Sequence, residues 1–303
     1  MDLEKFYNKY VEKDNIIYSI DMIRLKTYIS YSKFTEIEFR FATCWQKYLK
    51  KNFNSSQLKN FFYNYVVEIE EGVSFWFGFL HNTEKRNITF KTGYNANNQD
   101  VYNLTIEFNP NKLKNNEILM YILSLSGDWA IKSYDLAIDL KVNILDLLYD
   151  MNGRNVEKID NRGLDNKTIY IGKGDGRVKI YNKKNESKLN IREDLTRIEI
   201  SREVEDFEVR KMKIWQYDGN FPIIYMNNYM FSFSDYKDKT LLAILYAVQN
   251  GFPLRDLSRA YRKKIKELYE GNYKIKFDKN CARDVLNKTI YNYFLGNNLV
   301  HFW

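Results

Sequence analysis

Four segments alternate apolar and polar residues closely enough to read as strands with one apolar face each. In residues 103–109, Leu104, Ile106 and Phe108 share one face, and Thr105, Glu107 and Asn109 share the other. In 133–140, Leu136 and Ile138 oppose Asp135, Ala137 and Asp139. In 177–184, Val178 and Ile180 oppose Lys179, Tyr181 and Lys183, and in 195–203, Ile198 and Ile200 oppose Arg197, Glu199 and Ser201. Gly174-Asp175-Gly176 is a strong turn signal, so 167–173 and 177–184 are predicted to form a hairpin. A further strand is expected over 16–27, and two or three over 65–91 around Phe75, Trp76 and Phe77. Short helices are expected over 3–12, 33–50 and 112–125. Beyond residue 205 the period changes, and 237–250, 254–270 and 279–296 suit helices. Pro110, Pro222 and Pro253 each read as a boundary.

If the four alternating strands pair in one antiparallel sheet, their apolar faces lie on helices. The opposite face then gathers Glu107, Asp135, Asp139, Glu199, Tyr181, Lys179, Lys183 and Arg197. The ordinary meaning of such alternation is a solvated sheet face. Two details weigh against it. Four carboxylates on a short face repel one another unless a cation sits among them, and Ala137 leaves room between Asp135 and Asp139. Carboxylate oxygens are hard ligands suited to Mg²⁺ or Mn²⁺, and such an ion can polarise a phosphodiester. A tyrosine hydroxyl is a poor nucleophile at neutral pH until a cation stabilises its phenolate, and Tyr181 stands between Lys179 and Lys183. The expected architecture is α+β: an antiparallel sheet with a polar catalytic face and helices on the other face, followed by a mostly helical C-terminal part.

Composition narrows the partner and excludes several chemistries. The 303 residues carry 47 Lys+Arg against 39 Asp+Glu, a formal net charge of +8, which favours an anionic partner such as nucleic acid. Cys44 and Cys281 lie too far apart for a disulfide framework or a zinc motif and fit a reduced, cytoplasmic setting. The N-terminus lacks signal-peptide character, and no apolar run approaches membrane-spanning length, so no membrane association is expected. His81 and His301 are the only histidines, so a paired-histidine metal motif cannot be built, and no Ser-His-Asp or Cys-His site is expected.

The residues on the polar strands fall within recognisable motifs. Ile106-Glu107-Phe108-Asn109-Pro110-Asn111-Lys112-Leu113 is one, and Tyr134-Asp135-Leu136-Ala137-Ile138-Asp139 is another. Thr168-Ile169-Tyr170-Ile171-Gly172 precedes Val178-Lys179-Ile180-Tyr181-Asn182-Lys183-Lys184, and Thr196-Arg197-Ile198-Glu199-Ile200 follows. In order and spacing they resemble the replication initiators of small staphylococcal-type rolling-circle plasmids, the Rep_trans family, to which certain conjugative-element relaxases are related. Weaker likeness reaches back to Ser19-Ile20-Asp21-Met22 and forward through 240–270 to Phe302-Trp303.

The resemblance implies a metal-dependent DNA strand transferase that nicks a supercoiled, hairpin-bearing origin through a 5′-phosphotyrosine. It implies a homodimer, a host helicase and a host polymerase as partners. Residue by residue, it makes Tyr181 the nucleophile, with Lys179, Lys183 and Arg197 beside it. Glu107, Asp135, Asp139 and Glu199 become ligands, or supporters of ligands, for Mg²⁺ or Mn²⁺. Residues 1–205 would form the nicking and joining domain, and 206–303 a helical origin-recognition region packed with it as one unit. In that region Arg255, Arg259, Arg262 and Lys266 fall on one face at helical spacing, opposite an apolar stripe of Leu257, Tyr261, Ile265 and Leu268. That pattern suits phosphate contact, or an ordinary amphipathic surface helix. A conjugative relaxase with the same chemistry and a non-catalytic DNA-binding protein on the same fold are the alternatives.

Overall fold

Period-2 alternation commits a strand to bury one side, and here the buried sides meet in one sheet. The computed structural model describes residues 10–33, 36, 64–70, 73–78, 88–94, 101–111, 120, 123–126, 128–150, 156–161, 167–186, 193–208, 219–227, 238–250, 252, 254–271 and 273–291. The strands are β1 (Tyr10–Lys13), β2 (Ile16–Ser30), β3 (Asn64–Glu70), β4 (Val73–Gly78), β5 (Ile88–Tyr94), β6 (Val101–Phe108) and β7 (Ala130–Leu140). They continue with β8 (Leu147–Asp150), β9 (Val156–Asn161), β10 (Lys167–Ile171), β11 (Val178–Asn182), β12 (Thr196–Glu208) and β13 (Ile223–Met226). The helices are α1 (Lys183–Glu186), α2 (Lys239–Gln249), α3 (Arg259–Tyr269) and α4 (Lys279–Ile290).

Among the described residues the main sheet has 11 strands in the order β3-β4-β5-β6-β2-β7-β12-β11-β10-β9, with β1 paired to β2. Its pairings are antiparallel except β4–β5, which is parallel. The fold is therefore α+β with a mostly antiparallel sheet and helices towards the C-terminus, as the alternation predicted. The long β2 and β7 lie at its centre. The β10–β11 hairpin forms at the expected turn, where Gly172, Gly174 and Gly176 all adopt positive φ that other residues rarely take.

Residues 10–13 are a strand, not part of a helix over 3–12: Asp14 and Asn15, at φ 53° and 62°, form a tight two-residue turn that folds β1 back on β2. So short a segment carries no reliable period. Most of the helices expected over 33–50 and 112–125 fall outside the described residues.

The apolar face is covered partly from the far end of the chain. Cys281, Ala282, Val285 and Leu286 of α4 join Ile20, Leu25, Ile106, Leu136, Ile138, Ile180 and Ile198 in one core cluster. Each buried aliphatic side chain of this kind contributes roughly 1.5–3 kcal/mol. Tyr18 of β2 fixes the register of α4, its hydroxyl accepting the Asp278 N–H at 2.9 Å. A second cluster joins Tyr225 of β13 and Leu148 of β8 to Leu241, Leu245 and Val248 of α2 and Ile265 and Tyr269 of α3. Side-chain caps start these helices: Asp238 accepts from Leu241 N, Ser258 from Tyr261 N and Asp278 from Asn280 N.

Candidate active site

Pairing register decides which polar residues become neighbours. Tyr181 of β11 pairs with Arg197 of β12, which pairs with Asp139 of β7. One step along, Lys179 pairs with Glu199, and Glu199 with Ala137. The next row sets Ser201 against Asp135. These rows place Tyr181, Lys179, Arg197, Glu199, Asp139 and Asp135 on one face. Glu107 of β6 stands apart across β2, opposite Arg24.

Strand β2 contributes a residue that alternation conceals. Its pairing with β7 slips between Ile20 and Met22, leaving Asp21 as the extra residue of a bulge. A bulge re-aims a side chain, and Asp21 Oδ1 accepts from Arg197 at 2.6 Å and from Asn109 Nδ2 at 3.2 Å. Asn109 Oδ1 in turn accepts the Asn111 N–H at 2.9 Å, and Asn111 Nδ2 donates to the Ile20 carbonyl at 3.0 Å. The Asn109-Pro110-Asn111 segment thus clamps the bulge. Asp21, which the sequence offers only within a weak likeness, is a site residue that strand alternation does not reveal.

Arg197 is the hub. It is 2% exposed and donates to both Asp139 oxygens, at 2.7 and 2.6 Å, as well as to Asp21. The two carboxylates hold its guanidinium far above its ordinary pKa despite burial, which works in the opposite direction. Each of its three nitrogens donates to a carboxylate, so it positions the site.

Tyr181 is also buried, 2% exposed. Its hydroxyl donates to Glu199 Oε1, and Lys179 Nζ donates to Glu199 Oε2 at 3.3 Å. Lys179 Nζ also sits 4.0 Å from the Tyr181 ring centre, and Lys183 Nζ 5.7 Å from it. Lys183 begins α1 rather than continuing the strand, yet stays beside the ring. Burial, then the Glu199 charge, pushes the Tyr181 phenol far above its usual pKa. Burial and the nearby Asp21 charge likewise push the Glu199 carboxyl up. Asp135 is raised by burial first, with Asp21 and Glu107 adding repulsion.

A divalent ion does not fit this arrangement. Glu107 is engaged by Arg24, Asp139 by Arg197, and Glu199 by Tyr181 and Lys179. Among the described residues no three acidic, histidine or cysteine side chains come together as a group able to hold a metal. The expected ligand set of Glu107, Asp135, Asp139 and Glu199 is therefore not assembled. Three of its members serve as partners of the protein's own cations, which answers the charge repulsion that the alternation had raised.

The expected basic face beyond residue 254 also divides. Arg255 lies in a 3₁₀ turn before the helix, which starts only at Arg259 because Ser258 caps it there. Arg262 turns inward, donating to the Leu254 and Leu257 carbonyls at 3.2 and 3.0 Å. Arg259, Lys263 and Lys266 line a shallow groove with Arg262, Glu267 and Glu270.

Part of this chain is similar in sequence to known proteins. Over 117 residues it is 37% identical to a replication initiation protein of Staphylococcus aureus, a stretch covering 35% of this chain and 37% of the relative. The chain resembles a replication initiator. A second Staphylococcus aureus replication initiation protein is 36% identical over 117 residues, with the same shares covered. The match thus spans little more than a third of the relatives' own length. A solved structure of a rolling circle replication initiator protein from Geobacillus stearothermophilus aligns over 87% of this chain and 99% of its own, at 11% identity and a TM-score of 0.33. A likeness that weak leaves the fold to rest on this chain's own strand pairings. No protein-family model matches the chain.

Proposed function

We propose that this chain is a rolling-circle replication initiator, which cuts one strand of origin DNA with Tyr181 and remains joined to the 5′ end. The observation that carries the reading is the Tyr181 hydroxyl held by Glu199, with two lysine ammoniums against its ring, inside motifs similar to those of plasmid initiators. A nucleophile, a hydrogen-bond acceptor for its proton and cations for the phosphate are what phosphoryl transfer to a tyrosine needs. In the step, Tyr181 Oη bonds to phosphorus as the bond from phosphorus to O3′ breaks. The 3′ oxygen leaves with the electron pair and takes a proton from water, becoming a 3′-OH for a polymerase. Lys179 and Lys183 offset charge on the phosphate oxygens. The phosphotyrosine conserves the bond energy, so rejoining requires no nucleotide cofactor. On this reading the partner is supercoiled origin DNA, contacted further by Arg259, Lys263 and Lys266 of α3.

The burial of Tyr181 favours a second reading, in which the chain binds DNA without cutting it. Incubation with supercoiled DNA from its own element, with Mg²⁺ or Mn²⁺ in the buffer, separates the two. Open circles carrying protein linked through Tyr181 are the expected product. Tight binding without any covalent adduct would leave the binding reading standing.

A further inference from the structure

The acids of the polar face do different jobs. Asp139 and Glu107 each neutralise an arginine, at Arg197 and Arg24. Glu199 instead contacts the one hydroxyl that the proposed reaction consumes. One of its oxygens accepts the Tyr181 proton, and the other is held by Lys179 at 3.3 Å. Nucleophile, acceptor and a third group orienting the acceptor form a line, the arrangement that activates hydroxyl nucleophiles generally.

Resting on the initiator reading above, we propose that Glu199 is the catalytic general base, taking the proton from Tyr181 Oη as that oxygen attacks the phosphodiester, and is not a metal ligand. The proton moves to Glu199 Oε1 while the Oη–P bond forms and the P–O3′ bond breaks. In rejoining, the 3′-OH yields its proton to solvent as O3′ bonds to phosphorus, the Oη–P bond breaks, and Glu199 returns its proton to the departing tyrosine. Lys179 is the positioning residue that points the acceptor. The need for a base is physical: Tyr181 is buried beside Glu199, so it carries no standing phenolate. The charged groups facing Glu199 are Asp21 from β2, Lys179 from β11 and Arg197 from its own strand. Burial and Asp21 raise its affinity for a proton, and the two cations act against that rise.

The test follows covalent adduct formation by the full chain on supercoiled origin DNA across pH, for wild type, Glu199→Gln, Glu199→Asp and Tyr181→Phe. Glu199→Gln should form adduct about 10²–10⁴-fold more slowly near neutrality. Its rate should keep rising with pH, because hydroxide then removes the proton, whereas the wild-type rate levels off. Glu199→Asp, which keeps the carboxylate, should lose less and retain the plateau. DNA binding and circular dichroism establish that each variant is folded. Wild-type rate and pH profile in Glu199→Gln overturn the proposal. So does a defect that extra Mg²⁺ or Mn²⁺ repairs at unchanged pH profile, which would make Glu199 a ligand. Equal losses in the Gln and Asp variants with unchanged profiles overturn it as well. Nicking by Tyr181→Phe is the separate outcome that removes the initiator chemistry itself.

Discussion

Arg197 on β12 grips Asp139 on β7 through both carboxylate oxygens, where the side chains are only 3% and 0% exposed. The pair joins two central strands, and the third arm of the same guanidinium reaches Asp21 in the β2 bulge. Removing one partner strands a buried charge. Asp139→Ala or Arg197→Ala should each cost about 3–5 kcal/mol of stability, read from urea midpoints. Because both changes break one interaction, the double variant should lose less than the two losses added together. Simple additivity would show that the pair does not act as a unit.

Tyr181→Phe tests structure as well as chemistry. It leaves Glu199 Oε1 without its hydroxyl partner in a mostly buried place, so a loss of about 1–3 kcal/mol is expected. Adduct formation should disappear while origin binding in a gel-shift assay persists.

Asp135 gives a pH signature with a definite sign. Burial and its like-charged neighbours raise its folded-state pKa above that of the unfolded chain. Its contribution to stability is therefore fully present below the unfolded value of about 3.9 and is lost as pH rises through the folded value. Asp135→Asn has no such loss. Its melting temperature relative to wild type should improve between pH 4 and pH 7, and a relative fall over that interval would refute the assignment.

On α3 the cations should separate by role. Arg262→Ala removes hydrogen bonds to the Leu254 and Leu257 carbonyls and should lower stability by about 1–2 kcal/mol. Lys263→Ala and Lys266→Ala should leave stability within about 0.5 kcal/mol. If they contact phosphates, each should weaken DNA binding and reduce the slope of log affinity against log salt by about 0.9. Unchanged salt slopes would move the DNA contact elsewhere.

Alternation made much of the sheet legible in advance. Leu136, Ile138, Ile180, Ile198 and Ile200 all face the core as counted, because a strand's period is a property of the backbone. The β10–β11 hairpin was equally readable, since few residues other than glycine tolerate the positive φ its turn requires. Helices α2, α3 and α4 fall inside the expected segments, and Asp238 and Ser258 set where α2 and α3 begin. No helix among the described residues is long and apolar enough to cross a membrane.

Strand neighbours, by contrast, were not in the pattern. The same set of acids and cations on one face could have surrounded a metal or have neutralised one another. Only the register of β7, β12 and β11 put Arg197 between Asp139 and Tyr181, and Lys179 against Glu199. Asp21 was hidden for the same reason. The bulge that aims it is a mismatch between β2 and β7, and a mismatch belongs to two strands at once. The sequence by itself determined which side of the four alternating strands is polar, because that depends on local geometry. The tertiary structure alone decided which charges meet, because ion pairs and proton acceptors depend on distances across strands far apart in the chain.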